Sequence, residues 1–251
     1  MQSDLKLFVV SPRLRKVCMI FGVIALIVFA VSLYVALTSK QSMLGWGYTL
    51  FHFINSAPDS LRTLALCITF LGSVWMLLGV GLIATLTKKY LLAWWLALST
   101  LLAYGGSGIL KYVVDRPRPM GLTHDVIVRS VEDSAGYPSG HTALAAIIAL
   151  TLCFYLPKSL RYWIVALWIT VVAASRLYLG VHSPIDVIGG ASLALLVFCL
   201  LRVLPLRWRQ YLRLAANDAK SSAATDQPEE TAEKDIKKPS NNAKKRTSKM
   251  Q

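Results

Sequence analysis

Ser175-Arg176-Leu177-Tyr178-Leu179-Gly180-Val181-His182-Ser183-Pro184-Ile185-Asp186 sets a guanidinium, an imidazole and a carboxylate between two apolar segments. Ionisable side chains at the margin of hydrocarbon-length segments are expensive, so they mark function. Ser183 suits a helix N-cap, Pro184 the first helical position, and Asp186 the first turn. His182 thus stands just ahead of a helix, with Asp186 placed to fold back toward its ring. A histidine oriented by a carboxylate is a base or a nucleophile.

Two further stretches offer such a group a substrate. In Lys111-Tyr112-Val113-Val114-Asp115-Arg116-Pro117-Arg118-Pro119, the Arg-Pro pairs force extended backbone after a helix end, holding the cations on different elements. Arginine as a fork and lysine as a point charge suit a phosphate; the competing reading is snorkelling to lipid headgroups. In Tyr137-Pro138-Ser139-Gly140-His141-Thr142, Ser139 can cap a helix and Gly140 lets an anion approach the free N–H groups of its first turn. His141 stands in that turn, able to donate a proton. Alone, this is an ordinary capped helix start with a histidine. Together the three stretches hold a phosphate cradle, an oriented nucleophile and a proton donor.

The elements that must position them lie in a bilayer. Of 251 residues, 55% are hydrophobic and 16% charged, with mean hydropathy +0.52, which excludes an ordinary soluble domain. The net charge of +14 falls mostly in the ends and short loops, where it reads as membrane topology and not as nucleic-acid binding. Cys18, Cys67, Cys153 and Cys199 lie in apolar runs without metal or disulfide spacing, and read as packing or lipid-facing residues.

Hydropathy predicts an all-α fold, a six-transmembrane-helix bundle with spans at 17–38, 61–87, 90–111, 139–156, 162–179 and 184–204. The basic stretch 1–16 precedes the first span, an uncleaved anchor, and residues 17–60 add an aromatic interfacial segment carrying Trp46, Tyr48, Phe51, His52 and Phe53. Residues 61–204 form the core, and 205–251 read as a basic, largely disordered tail in which Lys244-Lys245-Arg246 is solvated. Gly105, Gly106 and Gly108 in the third span suit close helix packing. The loop after it holds Asp115, His124, Asp125, Arg129, Glu132 and Asp133 without a readable motif. Both termini, Lys88-Lys89 and Lys158–Arg161 share one side, which positive-inside makes cytoplasmic, so the three stretches face outward. Lys111, Arg116, Arg118 and Arg129 run against that rule.

The three stretches, in order and spacing, closely resemble the signatures of the type 2 phosphatidic acid phosphatase superfamily, K-x6-R-P, P-S-G-H and S-R-x5-H-x3-D, over roughly residues 60–205. The resemblance implies a helical bundle in which Lys111, Arg118 and Arg176, helped by Ser139 and Gly140, bind phosphate oxygens. It implies that His182 attacks phosphorus, Asp186 orients it, and His141 protonates the leaving oxygen and then activates water. Arg116 is off register for the first signature, so its replacement by alanine is expected to be much milder than that of Arg118. Fixed cations balance the charge, so no metal and no cofactor is expected. The implied partner is a membrane lipid phosphate: undecaprenyl diphosphate, phosphatidylglycerophosphate, phosphatidate or a lipid A phosphate, with no nucleic acid expected. A lipid phosphotransferase, a vanadate haloperoxidase-like protein and a non-catalytic lipid-binding protein share these residues as alternative readings.

Overall fold

The computed structural model describes residues 11–204 apart from Gln41, Leu44 and Lys158. The expectations for the extreme N-terminus and for the tail at 205–251 lie outside the described residues. Helix α1 (Pro12–Thr38) starts where Ser11 Oγ accepts the Leu14 N–H and Pro12 fixes the first turn. Then follow α2 (Gly45–Asn55), α3 (Arg62–Phe70), α4 (Val74–Leu86), α5 (Tyr90–Thr100), α6 (Gly106–Val114), α7 (Gly140–Leu152), α8 (Arg161–Tyr178) and α9 (Pro184–Val203). The described residues contain no strand. α1, the run Tyr90–Gly121 and α9 are long and apolar enough to cross a membrane, and α3 with α4 makes a fourth span if that bent pair is one. α9 lies at the centre, packed along α1 and α7, while α7 also packs on α8.

The stretch expected as one span at 61–87 is broken. α3 and α4 meet at 41°, and Ser73 caps the second piece by accepting the Met76 N–H. At the break the chain passes close to α7: a Cβ on Gly72 would stand 2.4 Å from the carbonyl oxygen of His141.

The glycines expected to pack in the third span do not do so. Gly106 and Gly108 have no atom near a would-be Cβ, and Gly105 has only Leu101 Cδ1 at 3.9 Å. Residues Leu101–Gly105 instead form a π-helical turn between α5 and α6. Close approach occurs in α9, where a Cβ on Gly189 would meet the Tyr137 ring at 2.4 Å and one on Gly190 the Ser139 carbonyl at 2.3 Å. These two glycines seat the second sequence stretch against the third.

The aromatic segment at 41–60 does more than lie at an interface. α2 exposes Trp46 and Phe53, but Phe51 is fully buried against Leu177 and Val187. Asn55 ends the helix and bonds both ways across the site: its Nδ2 donates to the carbonyls of Ile127 and Tyr178, and its Oδ1 accepts the Ile127 N–H. Arg129 completes this brace. It donates to the carbonyls of Asn55, Ala57 and Tyr178, pairs with Asp59 at 2.7 Å, and lies 4.1 Å from the Tyr178 ring.

Candidate active site

Three helix ends and one loop build the site. α6 ends at Asp115, whose left-handed conformation turns the chain four residues after Lys111 and starts Arg116–Pro119 across the helix ends. α8 ends at Gly180 (φ +77°), a conformation that glycine tolerates, and a Cβ there would collide with the Ile127 carbonyl at 2.6 Å. That turn carries the chain from Arg176 to His182. α9 begins at Ser183, whose N–H donates to Asp186 Oδ2 at 2.7 Å, as the spacing predicts. The Ser139 N–H donates to the Asp186 carbonyl at 2.8 Å, and the Gly136 N–H to the Arg116 carbonyl at 2.8 Å. Backbone bonds thereby join all three stretches.

His182 is fully buried, and neither ring nitrogen has a hydrogen-bond partner among the described residues. Nδ1 faces Asp186 Oδ2 at 3.7 Å, beyond hydrogen-bond length, and Nε2 faces Glu132 Oε2 at 3.9 Å. Histidine–carboxylate bonds that are long without substrate commonly tighten with it. Burial pushes the His182 pKa down to about 4 against the opposing pull of Asp186, so at neutral pH the ring carries a free lone pair.

Arg118 donates to the Ser134 and Val181 carbonyls, both at 2.6 Å, and pairs with Glu132 at 2.8 Å. Arg176, buried, pairs with the other Glu132 oxygen and donates to Thr69 Oγ1 at 2.9 Å. His141, partly exposed, turns Nδ1 toward Glu132 Oε1 at 3.9 Å. Lys111 donates to Ser134 Oγ at 2.9 Å, and Arg118 reaches the same oxygen at 3.0 Å. The expected cations and histidines therefore converge, and the group they converge on is a loop glutamate. Burial alone would raise the Glu132 pKa; Arg176, His182, Arg118 and His141 outweigh it and hold the carboxyl at about 2.

Ser139 and Gly140 stand at the start of α7, as the spacing predicts. The Ser139 hydroxyl is buried and accepts from the Thr142 N–H at 3.4 Å and its hydroxyl at 3.1 Å, so it caps α7. A Cβ on Gly140 would stand 2.8 Å from the Tyr104 ring, so packing against the π-helical turn favours glycine here.

Arg116 has a place in the site that its register does not show. It is buried, donates to Ser183 Oγ at 2.8 Å, and pairs with Asp186 Oδ1 at 3.1 Å. The counter-ion of the orienting carboxylate is thus the off-register arginine. Sequence reasoning also missed Thr69, Asn55, Ser134 and Glu132. The doubled Arg-Pro was a signal for Arg116, while Glu132 stands among loop acids with nothing to distinguish it.

A buried imidazole between two carboxylates, one of them held by two arginines, is an arrangement that suits phosphoryl transfer. The chain belongs to the PAP2 superfamily, whose family model matches residues 92–210. It is 35% identical over 148 residues to phosphatidylglycerophosphatase B of Bacillus subtilis, covering 54% of this chain and 70% of that protein. It is 29% identical over 178 residues to the undecaprenyl-diphosphatase of Sulfolobus acidocaldarius, covering 68% and 84%. Among solved structures, Aquifex aeolicus LpxE superposes with TM-score 0.57 at 27% identity, covering 64% of this chain and 96% of that one. The transmembrane PAP2-type phosphatidylglycerolphosphate phosphatase of Bacillus subtilis gives 0.56 at 29%, covering 72% and 93%. The chain is a phosphatase of this superfamily.

Proposed function

We propose that the chain is a six-span membrane enzyme that removes phosphate from a bilayer-anchored lipid phosphate or diphosphate through a phosphohistidine on His182. The observation that carries this reading is the placement of His182, with Nδ1 toward Asp186 and Nε2 toward the anion held by Arg118 and Arg176. In the first step Nε2 bonds to phosphorus as the bond to the leaving oxygen breaks, and His141 supplies that oxygen with a proton. In the second, His141 takes a proton from water, whose oxygen attacks phosphorus and frees His182. Arg118 and Arg176 neutralise the charge that grows on the equatorial oxygens, with Lys111 beside them. Asp186 stabilises the imidazolium character of the phosphorylated ring.

The six spans are α1, the bent pair α3–α4, α5 continued into α6, α7, α8 and α9. Connectivity puts the Lys88-Lys89 turn and the turn at Ser159–Arg161 at the end away from the site, which supports cytoplasmic termini and an active site on the outer face of the cell membrane. A cavity of about 710 Å³ lined by Gly108, Lys111, Tyr112, Asp115, Ser134 and Ala135 adjoins the cradle. Its Tyr112 rim is 89% exposed next to exposed Ile109 and Val113, which suits a lipid headgroup arriving sideways from the bilayer. Undecaprenyl diphosphate leads the candidate substrates, since two relatives bear that activity in their names.

The test is phosphate release by purified protein from a panel of lipid phosphates, with products analysed with and without an acceptor lipid. Long-chain lipid phosphates are expected to give higher kcat/KM than water-soluble esters, and rapid quench is expected to trap an acid-labile, base-stable phosphoenzyme absent from His182→Ala. Full activity in a well-folded His182→Ala protein refutes the mechanism.

A further inference from the structure

Every cation expected to bind phosphate is engaged by one short piece of the third loop. Glu132 takes Arg118 and Arg176 on its two oxygens, and Ser134 takes Lys111 and Arg118. The Ser134 carbonyl accepts a further bond from Arg118 Nε at 2.6 Å. The piece is tethered at both ends independently of the cradle. Before it, the Arg129 N–H donates to the Leu179 carbonyl at 3.0 Å; after it, the Gly136 N–H is bonded to Arg116. Between the tethers Val131, Asp133 and Ser134 are exposed, whereas Glu132 points inward. Residues 130–135 therefore form a strap with fixed ends and one charged side chain in the site.

The position of that side chain is specific. Its oxygens lie on the two arginine forks and 3.9 Å from both His182 Nε2 and His141 Nδ1, where a phosphoryl group between nucleophile and acid has to sit. Substrate and Glu132 cannot occupy it together. A carboxylate carries one negative charge, as does a phosphodiester headgroup. A phosphate monoester or a terminal diphosphate carries more at neutral pH. Phosphodiesters vastly outnumber phosphomonoesters in a bilayer, and a bare pair of arginines would accept either.

Resting on the phosphatase reading, we infer that Glu132 is a specificity-determining residue: an internal anion that keeps singly charged phosphodiesters out of the cradle and yields to the greater charge of a phosphomonoester or diphosphate. The strap, with the adjoining cavity beside Ser134 and Ala135, gives the displaced side chain somewhere to go.

The experiment measures binding and not turnover. Wild type, Glu132→Gln and Glu132→Ala are purified in phospholipid-free alkyl-maltoside micelles, and the Kd for inorganic phosphate is measured calorimetrically, without and with an excess of phosphatidylglycerol. An internal competitor seated nine-tenths of the time weakens apparent affinity about ten-fold. Both variants are therefore expected to bind phosphate about ten-fold or more tighter than wild type, and phosphatidylglycerol is expected to weaken binding in the variants alone. Glu132→Asp, which keeps the charge, is expected to stay insensitive to phosphatidylglycerol. A Kd unchanged in both variants overturns the inference and leaves the phosphatase reading standing. Tighter phosphate binding without sensitivity to phosphatidylglycerol overturns the charge filter. If no protein binds phosphate and wild type releases none from any lipid phosphate, the phosphatase reading falls, and the inference with it.

Discussion

Replacing Arg116 with alanine is expected to damage the enzyme through a residue that contacts no substrate. Arg116 and Asp186 are 1% and 0% exposed and 3.1 Å apart. At an effective dielectric of about 20 their attraction is about 5 kcal/mol. Deleting one partner of a buried pair leaves the other charge stranded, which costs about 3–5 kcal/mol. For a chain of this size each kcal/mol moves the melting point by about 2–4 °C, so Tm is expected to fall by about 6–20 °C. Activity falls as well, since Asp186 keeps only the Ser183 N–H at 2.7 Å and its approach to His182. Thermal unfolding in detergent, followed by tryptophan fluorescence, and kcat/KM on a lipid phosphate form the assay. In Arg116→Ala/Asp186→Asn the stranded charge is gone, so Tm is expected to recover in part while activity does not. An Arg116→Ala protein that melts with wild type and retains its kcat/KM refutes the reasoning.

Thr69→Val keeps the shape of the side chain but removes the acceptor from Arg176 Nη1; hydrogen bonds to charged groups are worth about 1.5–3 kcal/mol, so kcat/KM is expected to fall about ten- to a hundred-fold, and an unchanged value sinks this role. His182 and Glu132 both have pKa values below their ordinary 6.5 and 4.5, at about 4 and about 2, so the unfolded chain binds more protons than the folded one in acid. Stability is thus expected to be whole above pH 6.5, to decline through pH 4 as His182 is forced to charge, and to decline further toward pH 2 with Glu132; a flat Tm from pH 7 to 4 contradicts it. In intact cells, a cysteine at Thr123 is expected to react with a membrane-impermeant thiol reagent and one at Ser159 is not, and the reverse pattern overturns the topology.

The parts of this site legible in sequence are those that obey local rules. Ser139, Ser183 and Pro184 mark helix starts by chemistry that acts within one turn, so α7 and α9 begin where expected. His182 and Asp186 are four residues apart across such a start, and their pairing follows. What was illegible depends on contacts between distant elements. The bend at Gly72-Ser73 has a local signal in the cap that Ser73 supplies, but the closeness of Gly72 to the backbone of α7 has none. Gly105, Gly106 and Gly108 have the look of a packing face, but the faces that meet are those of Gly189 and Gly190, set by where α9 crosses Tyr137 and Ser139. Arg116 and Arg118 stand only two residues apart, yet one pairs with Asp186 and the other with Glu132. Register against the family signature identifies the second and is silent about the first.

The arginine–carboxylate pairs of the site fall into two groups with different exposure to dissolved salt. Arg116–Asp186 is sealed from water, whereas every pair that includes Glu132 has a partner that is 24% exposed. Ions in solution screen exposed charges beyond a Debye length of about 8–10 Å near physiological strength and reach buried pairs far less. A charged headgroup approaching the cradle crosses that distance, whereas the pair that holds Asp186 does not. Added salt is therefore expected to slow capture of a lipid phosphate and to raise KM, with kcat the less affected of the two.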